Sequence, residues 1–211
     1  MSSRTKLFPG KKIIMKKLYV FAVALAAMGP VICRAQVRPG IIGGLNAASY
    51  SETVGTTTYS SSAILGYHIG GLLDIPINDH FLIQPQLLFS LKGGENQNDV
   101  KFLIHQVQIP VLVEYKLHLG IGQIYGGLGP NFGIGVGAKQ TQAGQSESIS
   151  FGPGADQIKR LDVGLMFTAG YLFDNGFFGA LNVTPGLTNE VNEGGSLHFF
   201  IFGVSVGYLF P

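Results

Sequence analysis

The stretch FIFGVSVGYLF, residues Phe200–Phe210, decides the fold. Its even-numbered residues are large and apolar, whereas Gly203, Ser205 and Gly207 on the other parity are small. A period of two residues is typical of a β-strand whose two faces meet different environments. Seven earlier stretches alternate in the same way. Together with the last one they predict strands at residues 39–49, 65–75, 81–92, 106–116, 124–138, 161–173, 177–188 and 200–210.

The connections between these strands alternate in length. Residues 76–79, 117–121 and 174–176 are short, whereas the other connections are longer and polar, and residues 50–62 and 139–158 are the longest. Short turns at one end and longer loops at the other are typical of bacterial transmembrane β-barrels with an even number of strands. Each strand has at least the roughly 9 to 11 residues that a tilted strand needs to cross a bilayer. The sequence therefore predicts an all-β fold, an eight-stranded antiparallel up-and-down transmembrane β-barrel.

The direction in which the apolar faces point distinguishes a soluble β-structure from a membrane-spanning β-barrel. A soluble sandwich or lipocalin-like barrel would bury the large residues and expose the polar face. We predict the opposite, with Phe202, Val204 and Val206 facing lipid, because glycine is concentrated on the polar face and an eight-stranded lumen has room only for side chains. Aromatic residues near the short turns are expected to form a girdle: Tyr67, Tyr115, Tyr171, Phe173, Phe177, Tyr208 and Phe210.

The first 35 residues have the pattern of a cleavable signal peptide. A cluster of lysines precedes an apolar stretch from Leu18 to Cys33, and the small residues Cys33 and Ala35 fit cleavage after Ala35. The signal is also complete when translation starts at Met15, so that start stays open. The alternatives are an uncleaved anchor helix and a lipoprotein modified at Cys33. The barrel domain then comprises residues 36–211.

Removal of this segment changes the charge of the chain. Seven of the 14 basic residues and the only cysteine leave with it. The mature chain then has seven basic and 12 acidic residues, a net charge of −5. An acidic chain lacks the electrostatic basis for nucleic-acid binding, which we exclude. Without cysteine the exported chain has no disulfide, and burial or a membrane must stabilise it.

Polar residues on the predicted inner face form a lumen network. We expect this network to fill the barrel rather than leave an open pore, because eight strands enclose little space. Isolated ions are costly away from water, so Glu114 is expected to find amide donors or a basic partner among Lys92, Lys116 and Arg160. The predicted network, with a structural role, consists of Gln84, Gln86, Lys92, Gln106, Gln108, Glu114, Lys116, Asp162 and Asn182.

Four prolines fall inside the predicted strands, at Pro85, Pro110, Pro130 and Pro185. A proline removes one hydrogen bond of the ladder, and a closed barrel has no free edge on which the missing bond would be harmless. We expect local β-bulges at these positions.

Several motifs give the chain a resemblance to a known family. In chain order they are Gly44-Leu45-Asn46, IQPQLLFSLKGG at Ile83–Gly94, VQIPVLVEYKL at Val107–Leu117, GGLGPNFGIGVG at Gly126–Gly137 and the closing GVSVGYLF. They resemble the small outer-membrane β-barrel family of Gram-negative bacteria, labelled porin family or outer membrane protein β-barrel domain. This family is similar in architecture to OmpX and the OmpA membrane domain. The resemblance covers Gln36–Pro211.

The resemblance implies a location in the outer membrane of a Gram-negative bacterium after signal-directed export, with the mature termini in the periplasm and four loops outside. It also implies contact with outer-membrane lipid and, during biogenesis, with the barrel-assembly machinery, which reads a terminal aromatic residue. Two positions depart from the family's pattern. Gln86 stands where a glutamate is expected, and Pro211 follows the terminal aromatic Phe210.

The sequence contains no recognisable catalytic motif. The glycines of residues 127–133 lack the strand-to-helix context of a phosphate-binding loop. The five histidines also lack metal-ligand spacing: His68, His80, His105, His118 and His198. We therefore predict no enzymatic activity, no cofactor and no metal.

Three functions stay open for a monomeric barrel. The first is a structural or surface-interaction role, with residues 139–158 as the loop that contacts an extracellular ligand. The second is a narrow porin-like channel for small solutes or ions, against which the number of strands argues. The third is an enzyme at the rim of the longer loops, with candidate residues Glu52, Asp99, His105, Ser148 and Asp162.

Overall fold

The computed structural model describes residues 37–96, 99–142, 144–154, 157–192 and 195–211. Val37–Pro211 form one compact unit. The predicted signal peptide lies outside the described residues, so its cleavage stays a prediction. No helix in the described part of the chain is long and apolar enough to cross a membrane.

Ten β-strands make up the regular structure of these residues. In chain order they are β1 Arg38–Val54, β2 Thr57–Ser60, β3 Ile64–Pro76, β4 Phe81–Glu95, β5 Lys101–His118, β6 Gly122–Gln142, β7 Gln145–Ile149, β8 Leu161–Phe173, β9 Phe177–Pro185 and β10 Ser196–Leu209. Eight of them form a closed antiparallel ring, while the short strands β2 and β7 pair with the ends of β1 and β6. The predicted eight-stranded antiparallel barrel is confirmed.

The ring closes between the first and the last strand. β1 and β10 pair continuously from Gly40 opposite Leu209 to Thr53 opposite Ser196. The connections 77–80, 119–121 and 174–176 lie at the same end of the barrel as both termini of this unit, and we call it the turn end. The opposite end carries the longer connections and is called the loop end.

The apolar face of the barrel wall points outward, as predicted. Phe202, Val204 and Val206 are 40%, 48% and 66% exposed, whereas Gly203 and Ser205 between them are buried. The other barrel strands alternate in the same sense, with large apolar residues outside and small or polar residues inside. A soluble barrel would bury the opposite face, so this alternative is excluded.

Two predicted loops are partly β-structure. The sequence predicts residues 50–62 and 139–158 as the longest connections, outside the strands, but β1 with β2 and β6 with β7 continue into them as hairpins. The expectation was wrong because these extensions carry polar residues on both faces, which removes the alternation that marks a strand in lipid. Hydroxyl pairs bridge their strands: Thr53 with Thr58 at 3.0 Å and Thr141 with Ser146 at 2.9 Å.

The prolines do not produce β-bulges, contrary to the expectation. At Pro85, Pro110 and Pro130 the ladder loses residue pairs with one neighbouring strand and then resumes in the same register. Each of them stays paired with its other neighbour. A proline lacks only its own N–H, so the loss concerns one side of one strand. Pro185 ends β9, and the register shift occurs elsewhere, in the pairing of β5 with β6 between His105 and Gln106, where β6 carries the extra residue Val136.

Aromatic rings surround the outside of the turn end. Tyr171 and Phe173 have ring centroids 4.9 Å apart, and Tyr208 lies 4.9 Å from Phe177. Amphipathic rings of this kind suit the boundary between headgroups and hydrocarbon. Tyr67 does not belong to this group, because it lies farther along β3 and contacts Phe89.

We predict that a charge on the outer face costs most at mid-height of the wall. Val204→Arg should lower the free energy of unfolding by about 2 to 4 kcal/mol, whereas Val136→Arg, near the loop end, should cost no more than about 1 kcal/mol. Both residues are exposed on the outer face. Equilibrium unfolding in urea of barrels folded into lipid vesicles measures both. Equal costs would contradict the proposed placement in the bilayer.

Candidate functional site in the barrel lumen

The nine residues of the predicted lumen network all lie on the inner face of the wall. Seven are buried, and Asp162 and Asn182 are partly buried. They do not form one network. Six of them belong to three separate groups, at the turn end, at mid-height and at the loop end, and each group includes residues that the prediction left out.

Asp74 is the centre of the turn-end group. Its carboxylate accepts hydrogen bonds from Lys116 Nζ at 2.6 Å, from Gln84 Nε2 at 2.7 Å and from the guanidinium of Arg38 at 3.4 Å. Gln86 Nε2 in turn donates to Gln84 Oε1 at 2.7 Å. Both oxygens of this buried carboxylate are therefore paired, as a charge away from water requires.

Glu114 has no such partner, although its side chain is buried. Neither carboxylate oxygen has a hydrogen-bond partner among the described residues. Lys116, one of the partners expected for Glu114, gives its short hydrogen bond to Asp74, and Lys92 is bound at the loop end. Arg160 lies over the ring of Phe151. The expected pairing of Glu114 was wrong. Glu114 and Lys116 lie two residues apart on β5 and face the same side, but the carboxylate that Lys116 binds is Asp74 on β3.

His68 is the centre of the group at mid-height. Its Nδ1 lies 2.8 Å from Asn46 Oδ1, and its Nε2 lies 2.8 Å from Ser205 Oγ. Asn46 Nδ2 also donates to Ser90 Oγ at 3.3 Å, and Asn182 Nδ2 donates to Ser205 Oγ at 2.6 Å. This group links five strands, β1, β3, β4, β9 and β10, without an ion pair. A cavity of about 20 Å³ beside it has room for about one water.

Lys92 is the centre of the loop-end group and is 1% exposed. Its Nζ donates to Asp162 Oδ2 at 2.7 Å and also to Glu190 Oε1. Thr188 Oγ1 donates to the other oxygen of Asp162 at 2.8 Å. The ammonium also lies 4.4 Å from the centroid of the Phe199 ring. Glu190 and Thr188 come from the loop after β9, so this part of the loop reaches into the barrel mouth.

The loop-end group has two carboxylates for one ammonium. Burial raises the pKa of Glu190 to about 7; the charge of Lys92 opposes this shift, while that of Asp162 adds to it. Uptake of a proton by Glu190 near neutral pH would balance the charges of the group.

The rim residues considered for catalysis do not converge. His105 faces outward and stacks on Phe89 with ring centroids 5.9 Å apart, whereas Asp162 faces inward and binds Lys92. Glu52 lies on β1, and the exposed Ser148 lies on the separate β7 hairpin. No group of three His, Cys, Asp or Glu side chains within the described ranges could hold a metal ion. These positions supply no assembled catalytic site.

Three important residues of the lumen were missing from the predicted network. Asp74 and His68 lie on the inner parity of β3, so the alternation alone was sufficient to include them. Glu190 lies in a loop, where no periodicity indicates the direction of a side chain. Gln106, a member of the predicted network, has no hydrogen-bond partner for its Nε2 among the described residues.

The comparisons with known proteins agree with this architecture. The model of the family described as outer membrane protein β-barrel domain matches residues 34–192. Similar solved structures include Ail of Yersinia pestis, with 18% identity over 82% of this chain and 98% of Ail and a TM-score of 0.43. Neisserial surface protein A has 12% identity over 81% of this chain and 97% of its own, with a TM-score of 0.46. The N-terminal barrel domain of Pseudomonas aeruginosa OprF has 12% identity over 83% and 100%, with a TM-score of 0.38. The chain has no match among curated proteins.

We predict that Glu190 gives the barrel a pH-dependent stability. Its pKa in the folded barrel, about 7, lies above the value of about 4.3 in an unfolded chain. The folded state therefore binds the proton more tightly, and the stabilisation is complete below pH ~4.3 and lost as the pH rises through ~7. The free energy of unfolding of the wild type should fall over this window, and Glu190→Gln should abolish this part of the fall.

Urea unfolding in lipid vesicles at a series of pH values measures this effect. Glu147→Gln, on the exposed β7 hairpin, is the matched control and should keep the pH dependence of the wild type. The same slope in Glu190→Gln as in the wild type would show that Glu190 does not titrate in this window.

Proposed function

Because the chain belongs to the family of outer membrane protein β-barrel domains, we propose that it is a non-conducting outer-membrane protein with a structural or surface-interaction role. Its filled barrel anchors polar loops and hairpins at the cell surface. Family membership supports the location in the outer membrane. Signal-directed export of the mature chain is part of the proposal.

The buried position of Lys92 carries this proposal. An ammonium that is 1% exposed and bound by Asp162 and Glu190 blocks the loop end of the lumen. At the turn end the lumen holds Asp74 with its three donors. Moving an ion past these groups would break buried ion pairs, which costs several kcal/mol for each charge left unpaired. A filled lumen suits an anchor better than it suits a channel.

The hairpin of β6 and β7 is the proposed contact segment for an extracellular ligand. It is the first part of the proposed segment, residues 139–158, and the residues of β7 are exposed except for Ile149, which is partly buried. Long loops of outer-membrane barrels face the outside. The other proposed partners are outer-membrane lipid around a monomeric barrel and the barrel-assembly machinery, for which the exposed Phe210 is the terminal aromatic residue.

We expect the wild-type barrel to give no conductance steps in planar lipid bilayers, because ion pairs at both ends occupy the lumen. The sample must first show the altered migration of a folded barrel on unboiled gels. Reproducible steps from such a sample would overturn the proposal in favour of a narrow channel. Glu190→Ala then identifies the path, since steps that pass through the lumen should change in size in this variant.

Epitope insertion tests which end of the barrel faces outside. An epitope inserted after Gly144, at the tip of the β6–β7 hairpin, should bind antibody on intact cells. The matched insertion after Asn175, in a short turn, should bind antibody only after the outer membrane has been permeabilised. The reverse pattern would show that the orientation is wrong.

A further inference from the structure

An apolar cavity of about 100 Å³ lies at the loop end of the barrel. Residues of β1, β5, β6, β7 and β10 surround it, and Ile158 and Val191 complete its lining. The cavity is partly open. It is separate from the small polar cavity beside His68, with which it shares no lining residue.

Three aromatic rings form one side of this cavity. The ring of Tyr50 meets that of Phe102 edge-on, with centroids 5.9 Å apart and an angle of 89°, and it lies 5.8 Å from that of Phe199. The backbone of Tyr50 is fixed by a 2.7 Å hydrogen bond from its N–H to Ser61 Oγ. The rings thus pack against one another in the edge-on and tilted geometries that aromatic pairs prefer.

Toward the lumen, the cavity borders on the loop-end group around Lys92. Phe199 contributes to its wall and also lies over the ammonium of Lys92, which Asp162 and Glu190 hold. The chain around Glu190 closes one side, because Lys159 N donates to Glu190 O at 2.9 Å and Glu190 N donates to Leu197 O at 3.1 Å. Phe199, the ion pair behind it and the chain beside Glu190 therefore separate the cavity from the polar lumen.

The polar groups of the pocket are few. Glu52 and Lys139 are the charged residues of its lining, and they are partly buried and exposed, respectively. A mainly apolar space with a few polar groups is typical of small-molecule sites in the mouths of β-barrels. An apolar cavity of roughly 150 Å³ holds benzene in an engineered protein. The aromatic wall of this smaller but partly open cavity suits one six-membered ring, and the two charged side chains suit one polar substituent.

We propose that this pocket binds a small single-ring aromatic molecule that carries one hydroxyl group. The ring lies against Tyr50, Phe102 and Phe199, and the hydroxyl group points toward Glu52 and Lys139. The barrel thus holds a ligand at its loop end without conducting it. This site does not depend on the surface-interaction role proposed above, because it requires neither a macromolecular partner nor an exposed hairpin tip.

Binding of 4-methylphenol to the barrel in phosphatidylcholine nanodiscs tests the proposal. Saturation-transfer NMR detects contact, and a titration followed by the methyl signals of the protein gives the Kd, which we expect below about 1 mM. Cyclohexanol has a similar size but no aromatic ring, and should bind more weakly. Equal affinity for the two molecules would overturn the aromatic assignment.

Two variants fill the pocket from different sides. Ala138→Leu acts from the barrel wall and Ile149→Phe from the β7 hairpin, and both residues line the cavity. Extra side-chain volume in the ligand's space should weaken binding at least about tenfold. Ala169→Leu makes the same change on the outer face of β8 and should leave the Kd unchanged.

The migration of each variant on unboiled gels shows that the barrel is folded, and the hairpin variant keeps the test valid if Ala138→Leu does not fold. A wild type without saturable binding would overturn the proposal. Binding that is unchanged in the folded filling variants, or lost equally in Ala169→Leu, would show that the probe partitions into lipid or binds elsewhere.

Discussion

The pairing of every backbone N–H and C=O inside the protein is the constraint on which this structure depends, since hydrocarbon offers these groups no partner. The ladder between β1 and β10 meets it by closing the sheet. Closure has two consequences. The outer face must be apolar, and eight strands leave an interior that only side chains can fill. The prolines remain compatible with closure because each disturbs the pairing on one side and leaves the register intact.

The narrow interior decides where charges lie. Ion pairs occupy the turn end and the loop end, whereas the group around His68 at mid-height is joined by hydrogen bonds between uncharged partners. Charges near the ends are closer to water, which lowers the cost of burying them. Glycine supplies the space that bulky inner residues need. A Cβ at Gly44 would lie 2.6 Å from the His68 ring and would also meet the backbone of β10, so a larger residue would displace the central group.

The sequence was sufficient to predict the wall because lipid on one side and a crowded lumen on the other impose a strict period of two. The same parity would have placed Asp74 inside. That Lys116 binds Asp74 and not Glu114 depends on which strands lie opposite each other across the lumen, and alternation carries no information on distances across the lumen. The hairpins of β2 and β7 lie where both faces are polar, so their strands have no apolar signal. Glu190 shows most clearly what the sequence does not predict. Its side chain lies in a loop without periodicity, and its inward position depends on the contact with Lys92.

The loop end combines an ionic layer with an apolar layer, and each supports the other. The rings of Tyr50, Phe102 and Phe199 keep water from the side of Lys92 that Phe199 covers, and exclusion of water strengthens the attraction of an ammonium to its carboxylates. The ion pair in turn fixes Glu190 and the chain beside it, including Val191, which lines the apolar cavity. The ionic group and the apolar cavity therefore share this part of the chain: the contact between Lys92 and Glu190 holds the residue next to the cavity wall.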